Sequence, residues 1–339
     1  MTTDRDAAAR ALIEAAGWGG AERRWLAGDA SNRRYERLIE GGRTAVLMDA
    51  DPARGEDVRP FLAIARALGE RGFSSPAILA ADEAAGFLLI EDLGDDLFAR
   101  VIAADPAREP ELYAAATDLL SALHASAPVP GLVPYDREIM GRFAALSIDW
   151  YRRGATGEGA PSGDFAALVA GLKDRLAPGE PVIALRDFHA ENLLWLPERA
   201  GTARVGLLDF QSAMAGNRAY DLVSMLQDAR RDVSPAVEAR MVARYAETNG
   251  LDQGLFGAEY AFCGAQRNLR ILGGFARLSM HFGKPHYVDL IPRVWALLQR
   301  DLAHPALAPL AAAVAAALPA PTPEGLQRIK DECGRHPLT

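Results

Sequence analysis

At 339 residues the chain is longer than one small core requires and long enough for two lobes. Its 37 basic and 45 acidic side chains leave a net charge of −8, which argues against a protein built to grip nucleic-acid backbone. Half the residues are hydrophobic and 24% are charged, an ordinary globular composition that excludes disorder, collagen and coiled coil. Cys263 and Cys333 stand 70 residues apart with no CxxC pair, which argues against a disulfide framework or a structural zinc site. The first residues carry Asp4, Arg5, Asp6, Arg10 and Glu14 and so lack an apolar signal-peptide core. The most apolar stretch, Ala306 to Leu318, is 13 residues long and contains Pro309, too short for a bilayer span. These features predict a cytoplasmic protein without membrane or nucleic-acid partners.

In chain order, Asp4 to Ala16 reads as an amphipathic helix ended by Gly17. Arg24–Leu26, Tyr35–Ile39 and Thr44–Met48 read as strands, the last two joined by a turn at Gly41-Gly42. Apolar residues at Phe61, Leu62, Ile64, Ala65 and Leu68 predict a helix over 58–68, and Ala77–Ala80 and Phe87–Ile90 are again strand-like. After Glu91-Asp92 the pattern changes. A long helix is predicted over 112–125, a loop over 154–163, and helices to the end, interrupted by short apolar runs at Val182–Leu185 and Val205–Leu208. The expected fold is α+β, with a small antiparallel β-rich lobe over 1–92 and a larger, mainly helical lobe over 93–339.

The informative segment is Val182 to Asp209. An apolar strand leads into Arg186-Asp187-Phe188-His189-Ala190-Glu191-Asn192, and a second strand ends in Leu208-Asp209-Phe210-Gln211. Asp187 and Asn192 are five apart, Asn192 and Asp209 seventeen. Phosphoryl transfer from ATP needs a carboxylate to orient the attacking hydroxyl and accept its proton. It also needs hard oxygen ligands on the magnesium that bridges the phosphates. A D-x-x-x-x-N loop followed by an Asp-Phe pair at a strand end supplies that set. Each residue taken alone also reads as a cap or turn residue.

LRDFHAENLLW with LLDFQ resembles the catalytic motif of the aminoglycoside phosphotransferase and choline kinase superfamily, which has a protein-kinase-like two-lobe fold. LLSALHA and AYDLVSMLQDARRDV resemble the helices before and after it. With GDASNRRYERL, VLMDADP and GFLLIEDLGD, the texture is similar to the bacterial anomeric N-acetylmuramate/N-acetylglucosamine kinases of cell-wall recycling. QRNLRILGGFARL and HFGKPHYVDLIPRVW fit that subgroup too. The resemblance implies an ATP- and magnesium-dependent kinase of a small amino sugar, with no obligate protein partner. Asp187 would be the catalytic base, and Asn192 and Asp209 the metal ligands. His189 reads either as a base or ligand or as a structural residue bonding the loop.

The sequence departs from the kinase pattern at two places. The phosphate-covering loop, Gly28 to Arg34, has a single Gly; backbone N–H groups of Ser31 and Asn32, with Arg33 or Arg34, are the expected phosphate contacts. Met48 stands where the phosphate-binding Lys is normal, and Arg59 to Leu62 offers no Glu partner, so Arg34 is the expected replacement cation. Glu91 to Leu93 marks the hinge expected to pass the adenine. Asp221 is expected to hold the catalytic-loop backbone. Asp228, Arg230 and Arg231 read as an acceptor site for an N-acetylmuramate carboxylate or as a solvated helix end. Gln266, Arg267, Asn268 and Arg270 interrupt an apolar helix and read as facing a pocket, with Arg267 a further acceptor contact. Trp150 and Tyr151 read as core or as a sugar-stacking pair. The rival readings are a kinase of an aminoglycoside, choline or another amino alcohol, and a nucleotide-binding pseudokinase, for which Met48 is the main argument.

Overall fold

The computed structural model describes residues 2–28 and 32–336. In chain order it comprises α1 (Thr2–Ala15), β1 (Glu22–Gly28), β2 (Arg34–Glu40), β3 (Arg43–Asp49), α2 (Arg59–Gly69), β4 (Ile78–Asp82), β5 (Phe87–Glu91), α3 (Phe98–Ala104) and α4 (Glu109–Ala125). Then follow α5 (Arg137–Leu146), α6 (Arg153–Thr156), α7 (Gly163–Leu176), β6 (Val182–Ala184), β7 (Leu193–Trp195), β8 (Val205–Leu207) and β9 (Met214–Gly216). The chain finishes with α8 (Ala219–Leu226), α9 (Pro235–Thr248), α10 (Gln253–Met280), α11 (Ile291–Leu302), α12 (Ala308–Ala317) and α13 (Pro323–Asp331).

The described elements group into two compact units, Met1–Ala122 with Ala190–Ala213, and Leu123–His189 with Met214–Thr339. This grouping differs from the composition change at 92/93. In the first unit the β7–β8 hairpin is held by a bridge from Gly206 to Ser74 and by another from Leu194 to Leu97. Those ties hold residues 190–213 to the segments just before β4 and just after β5.

The first unit is built on an antiparallel sheet in the order β1-β2-β3-β5-β4. Gly41 and Gly42 make the β2–β3 turn with φ of 56° and 80°, the left-handed pair that a tight hairpin demands. Alternation along the strands assigns the two faces. Leu38, Ala45, Leu47, Phe87 and Leu89 pack with Ala9 and Ile13 of α1. Tyr35, Val46 and Ile90 line a cavity on the other face. Phe61 of α2 stacks on Phe210 at 4.8 Å between ring centroids.

The second unit is organised around α10, which packs against α5, α8, α9 and α11. A Cβ at Gly273 would lie 2.2 Å from the Leu146 backbone, so only glycine allows α10 to cross the end of α5 this closely. A π-helical turn over Ser147–Arg152 follows that crossing. β6 pairs with β9 and ends at the segment that carries Asp187. No described helix is long and apolar enough to cross a membrane.

Candidate active site

In the first unit, antiparallel pairing of Leu193 with Leu207 brings the two ends of the β7–β8 hairpin together. The Leu208 N–H donates to the Asn192 carbonyl at 2.9 Å, so Asn192 and Asp209 lie at the same end of the ladder. Both line one cavity of about 350 Å³, together with Glu91 and Leu93. Asp209 has φ of 54°, a left-handed conformation that Asp tolerates better than most residues. Gln211 Nε2 donates to Asp209 Oδ1 at 2.6 Å. Magnesium takes a few protein oxygens and completes its shell with phosphate and water. One carboxylate and one amide oxygen on a single cavity wall fit that requirement. Among the described residues there is no group of three or more His, Cys, Asp or Glu placed to cage a metal.

The hinge region of this unit is braced by ion pairs. Glu91 bonds Arg199 at 2.5 Å, and its other oxygen accepts the Ala77 N–H at 3.2 Å. The Glu91 N–H itself donates to the Ala77 carbonyl. Arg37 joins Asp92 at 2.7 Å and Asp95 at 2.9 Å, and its guanidinium holds Asp95 below the usual carboxylate range. Glu91 and Leu93 are therefore part of the cavity wall, with the Glu91 carboxylate already committed to neighbours.

The phosphate-loop expectations divide. Ser31 lies outside the described residues. The Asn32 N–H donates to Glu56 Oε1 at 3.0 Å. Arg33 Nε lies 3.3 Å from Glu56 Oε2, and Arg33 Nη2 lies 4.0 Å from Asp209 Oδ1. Arg34 is not brought to this group. It shares the α1-facing side of β2 with Glu36 and lines a different cavity of about 280 Å³ with Arg5, Asp49 and Asp51. Met48 is 1% exposed on β3, on the same strand face as Val46.

In the second unit, β6 ends where Leu185 and Arg186 donate their backbone N–H groups to Asp221, at 2.6 and 2.8 Å. Asp221 opens α8 and is fully enclosed; burial pushes its carboxyl up to about 7, against the two N–H donors that favour the anion. Arg186 has φ of 73° and its carbonyl accepts from Ser224 Oγ at 3.1 Å. Backbone bonds thus hold the residue before Asp187 on both sides. His189 is buried and kept neutral: burial, helped by Arg230, pulls its pKa down to about 3, while the Asp187 charge opposes this. Arg230 Nη1 lies 3.3 Å from His189 Nε2, which places an exposed guanidinium on the Asp187 segment. Asp228 is 2% exposed and accepts the Arg230 N–H at 2.9 Å. Arg231 is half-buried beside them.

Arg267 is 5% exposed and donates to Ser224 Oγ at 2.9 Å and to the Gln227 carbonyl at 3.4 Å. Burial lowers its pKa, and the charges of Asp228 and Asp187 work against that. Gln266 and Asn268 do not face a pocket. Gln266 bonds the Met140 carbonyl, and Asn268 bonds Gln227 and Asp301, inside the helical core. Tyr151 is buried and donates to the Pro319 carbonyl at 2.8 Å, so it belongs to the core.

Sequence reasoning missed Glu56, Arg37, Arg199 and Ser224. For Glu56 a signal existed: it lies three residues before α2, the helix searched for an acidic partner, in a turn that helical periodicity does not report.

Two oxygen-bearing side chains at one hairpin end, and an Asp preceded by backbone that Asp221 and Ser224 hold, are residue types that phosphoryl transfer can use. Residues 22–256 match the model described as "Phosphotransferase enzyme family", and the chain belongs to this family. It is 40% identical to the N-acetylmuramate/N-acetylglucosamine kinase of Caulobacter vibrioides, the match covering 92% of this chain and 96% of that protein. It is 34% identical to the Pseudomonas aeruginosa protein of the same name, covering 88% and 90% respectively. Among solved structures it resembles a choline/ethanolamine kinase family protein from Mesorhizobium loti, with TM-score 0.59, 16% identity and coverage of 98% and 100%. It also resembles the GDP complex of aminoglycoside 2'-phosphotransferase-IIIa, with TM-score 0.55, 13% identity and coverage of 83% and 92%. At these identities the likeness is one of fold, and the fold is the protein-kinase-like α+β type. The chain is a phosphotransferase with an alcohol acceptor.

Proposed function

We propose that the protein phosphorylates the anomeric hydroxyl of N-acetylmuramic acid and N-acetylglucosamine, using ATP and magnesium, in the cytoplasmic recycling of peptidoglycan. The observation that carries this reading is the 40% identity along nearly the whole chain to a kinase named for both sugars. Residues 1–92 would serve the nucleotide and 93–339 would supply the catalytic and acceptor residues. Asn192 and Asp209 would hold magnesium, which when bound neutralises charge on the phosphates. Ser31, Asn32 and Arg33 would lie along the phosphates, and the backbone of Glu91 to Leu93 against the adenine. Asp187 orients the O1–H group and accepts its proton as the O1–phosphorus bond forms and ADP leaves. Asp221 and Ser224 hold the backbone that aims Asp187.

The setting of Asp187 disfavours cationic acceptors such as choline or an aminoglycoside. Within its unit, Asp187 shares electrostatic surroundings with Arg230, Arg267 and Arg270. Those cations suit a carboxylate-bearing or neutral sugar and repel an ammonium group. The complete set of Asp187, Asn192 and Asp209 disfavours a pseudokinase.

The test is a coupled ADP-release assay with N-acetylmuramic acid, N-acetylglucosamine and the methyl glycoside of N-acetylglucosamine. The free sugars should turn over and give acid-labile glycosyl phosphates; the methyl glycoside, which has no free O1, should not react. Turnover of the methyl glycoside, or an acid-stable product, would place transfer at another hydroxyl. Asp187→Asn should lower kcat by about 10² or more while nucleotide still binds.

A further inference from the structure

We propose that Glu56 is a positioning residue for phosphoryl transfer, holding Arg33 as the phosphate-directed cation in a site whose β3 position carries Met48. The inference rests on the nucleotide reading of the first unit and not on the identity of the acceptor.

Kinases of this general type orient a strand Lys with an acidic partner so that its charge reaches the phosphates. Met48 offers a thioether and is buried, so it supplies no charge. The requirement for a cation remains, because developing charge on the transferred group must be stabilised by a group already in place. Within the first unit, Arg33 approaches the expected metal ligand Asp209, and its Nη2 stands 4.0 Å from Oδ1, beyond hydrogen-bond distance. Arg34 is directed to the opposite face of the sheet.

Glu56 sets the direction of Arg33. One carboxylate oxygen accepts the Asn32 backbone N–H at 3.0 Å, and the other lies 3.3 Å from Arg33 Nε. A single side chain thereby fixes both the backbone entering Arg33 and the inner edge of its guanidinium. With Nε held by Glu56, the Nη end is the part turned toward Asp209. The two side chains are only 13% and 17% exposed, so solvent screens the pair less than an open surface bridge.

The position of Glu56 is itself built. Asp51 caps a single 3-10 turn over Pro52–Arg54 by accepting the Ala53 N–H, and Gly55 reverses the chain at φ 82°. The turn is latched to the same loop residue from its other side. Asn32 Nδ2 donates to the Arg54 carbonyl at 3.3 Å, and Arg54 Nη2 donates to Asn32 Oδ1 at 3.1 Å. Residues 51–56 therefore form a brace under residues 32 and 33, and Glu56 is its charged end. An ion pair that kinases commonly build between a strand and a helix is here built between a loop and a turn.

The test is a double-mutant cycle with Arg33→Ala, Glu56→Gln and the double variant, read as kcat and KM for ATP and as affinity for a non-hydrolysable ATP analogue without acceptor. Arg33→Ala should lower kcat/KM for ATP by about 10². Glu56→Gln keeps an acceptor for the Asn32 N–H but loses the charge, and should lower it about tenfold. The double variant should fall within about twofold of Arg33→Ala, since the two residues act as one unit. Glu56→Asp should recover part of the loss, and all variants should melt near the wild type. Fully multiplicative effects, or a Glu56→Gln variant with wild-type kinetics and analogue affinity, would overturn the proposal. Analogue binding is read without a sugar, so a wrong acceptor assignment shows as absent turnover in the wild type and leaves this arm intact.

Discussion

The Arg186 backbone N–H donates to Asp221 Oδ1 at 2.8 Å, and this bond pins the residue immediately before Asp187 in a left-handed conformation. A bulky residue with φ of 73° is strained unless its surroundings hold it there. Asp221 does so with both oxygens, accepting Leu185 as well. The carboxylate thus acts at one remove from chemistry: it fixes where the chain leaves the strand, and so where Asp187 begins.

Asp221→Asn tests this relation. The amide keeps the shape but presents an NH2 group to one of the two N–H donors, so one buried bond is lost. Stability should fall by about 1–3 kcal/mol in urea unfolding. kcat should fall at least about tenfold while KM for ATP stays near wild type, because the disturbed backbone carries Asp187 and not the nucleotide-cavity residues. Unchanged kcat in a folded variant would mean that Asp187 does not depend on this tether.

Met48→Ala separates packing from phosphate binding. The side chain is 1% exposed in the sheet, so truncation leaves a cavity and should lower stability by about 2–5 kcal/mol. KM for ATP, measured well below the new melting temperature, should change less than about threefold. A large KM effect with intact stability would assign Met48 a direct part in nucleotide binding.

The pH dependence of stability has a half-buried histidine behind it. His124 bonds Tyr245 at 2.6 Å, and burial pulls its pKa from 6.5 to about 3. The unfolded chain therefore binds a proton between these values that the folded chain refuses. Stability from this group is present above pH 6.5 and is lost as pH falls toward 3. Asp221 and Asp301, raised by burial to about 7, tilt the curve the other way over an overlapping range. The informative quantity is thus the difference between wild type and His124→Asn, whose amide retains a partner for Tyr245. That difference should be flat above about pH 7 and should shift in favour of the variant on acidification below 6.5. Parallel curves from pH 5 to 8 in chemical denaturation would refute a neutral His124 in the folded chain.

Much of the first unit was legible because its signals are local. Gly41-Gly42 forces a hairpin, the unbroken apolar runs Val46 to Met48 and Phe87 to Ile90 mark strands covered on both faces, and the apolar spacing of Phe61 to Leu68 marks α2. Asp187, Asn192 and Asp209 stand out in the sequence for a different reason: the proposed phosphoryl chemistry calls for those residue types in that order. The choice between Arg33 and Arg34 was also present in the sequence. Leu38 is buried against α1, and counting back by two places Glu36 and Arg34 on the same face, away from the cavity. What was hidden is what depends on turns and long-range partners. Glu56 stands after a three-residue 3-10 turn, β9 is three residues long, and the polar residues of α10 meet Tyr135, Gln227 and Asp301 from distant segments. No periodicity reports such pairings.

The two sugars differ by a lactyl ether whose carboxylate N-acetylglucosamine lacks, so they form a built-in probe for the acceptor cation. Arg230 is the exposed guanidinium attached to the Asp187 segment through His189 Nε2. Because His189 is neutral, Nε2 accepts from Arg230 and orients it without adding charge. A guanidinium held in this way can grip a carboxylate with two parallel bonds, and lysine cannot reproduce that geometry. Arg230→Lys should therefore raise KM for N-acetylmuramic acid about tenfold and leave N-acetylglucosamine within about twofold. His189→Gln should move the ratio of the two KM values in the same direction by a smaller factor, since it loosens the guanidinium without removing it. Arg267→Ala should behave differently: its bonds to Ser224 and Gln227 support the catalytic backbone, so kcat should fall for both sugars alike. Steady-state kinetics with both acceptors at saturating ATP distinguish the three patterns. Equal losses on the two sugars from Arg230→Lys would show that this guanidinium does not read the carboxylate and that the acceptor acid is bound elsewhere.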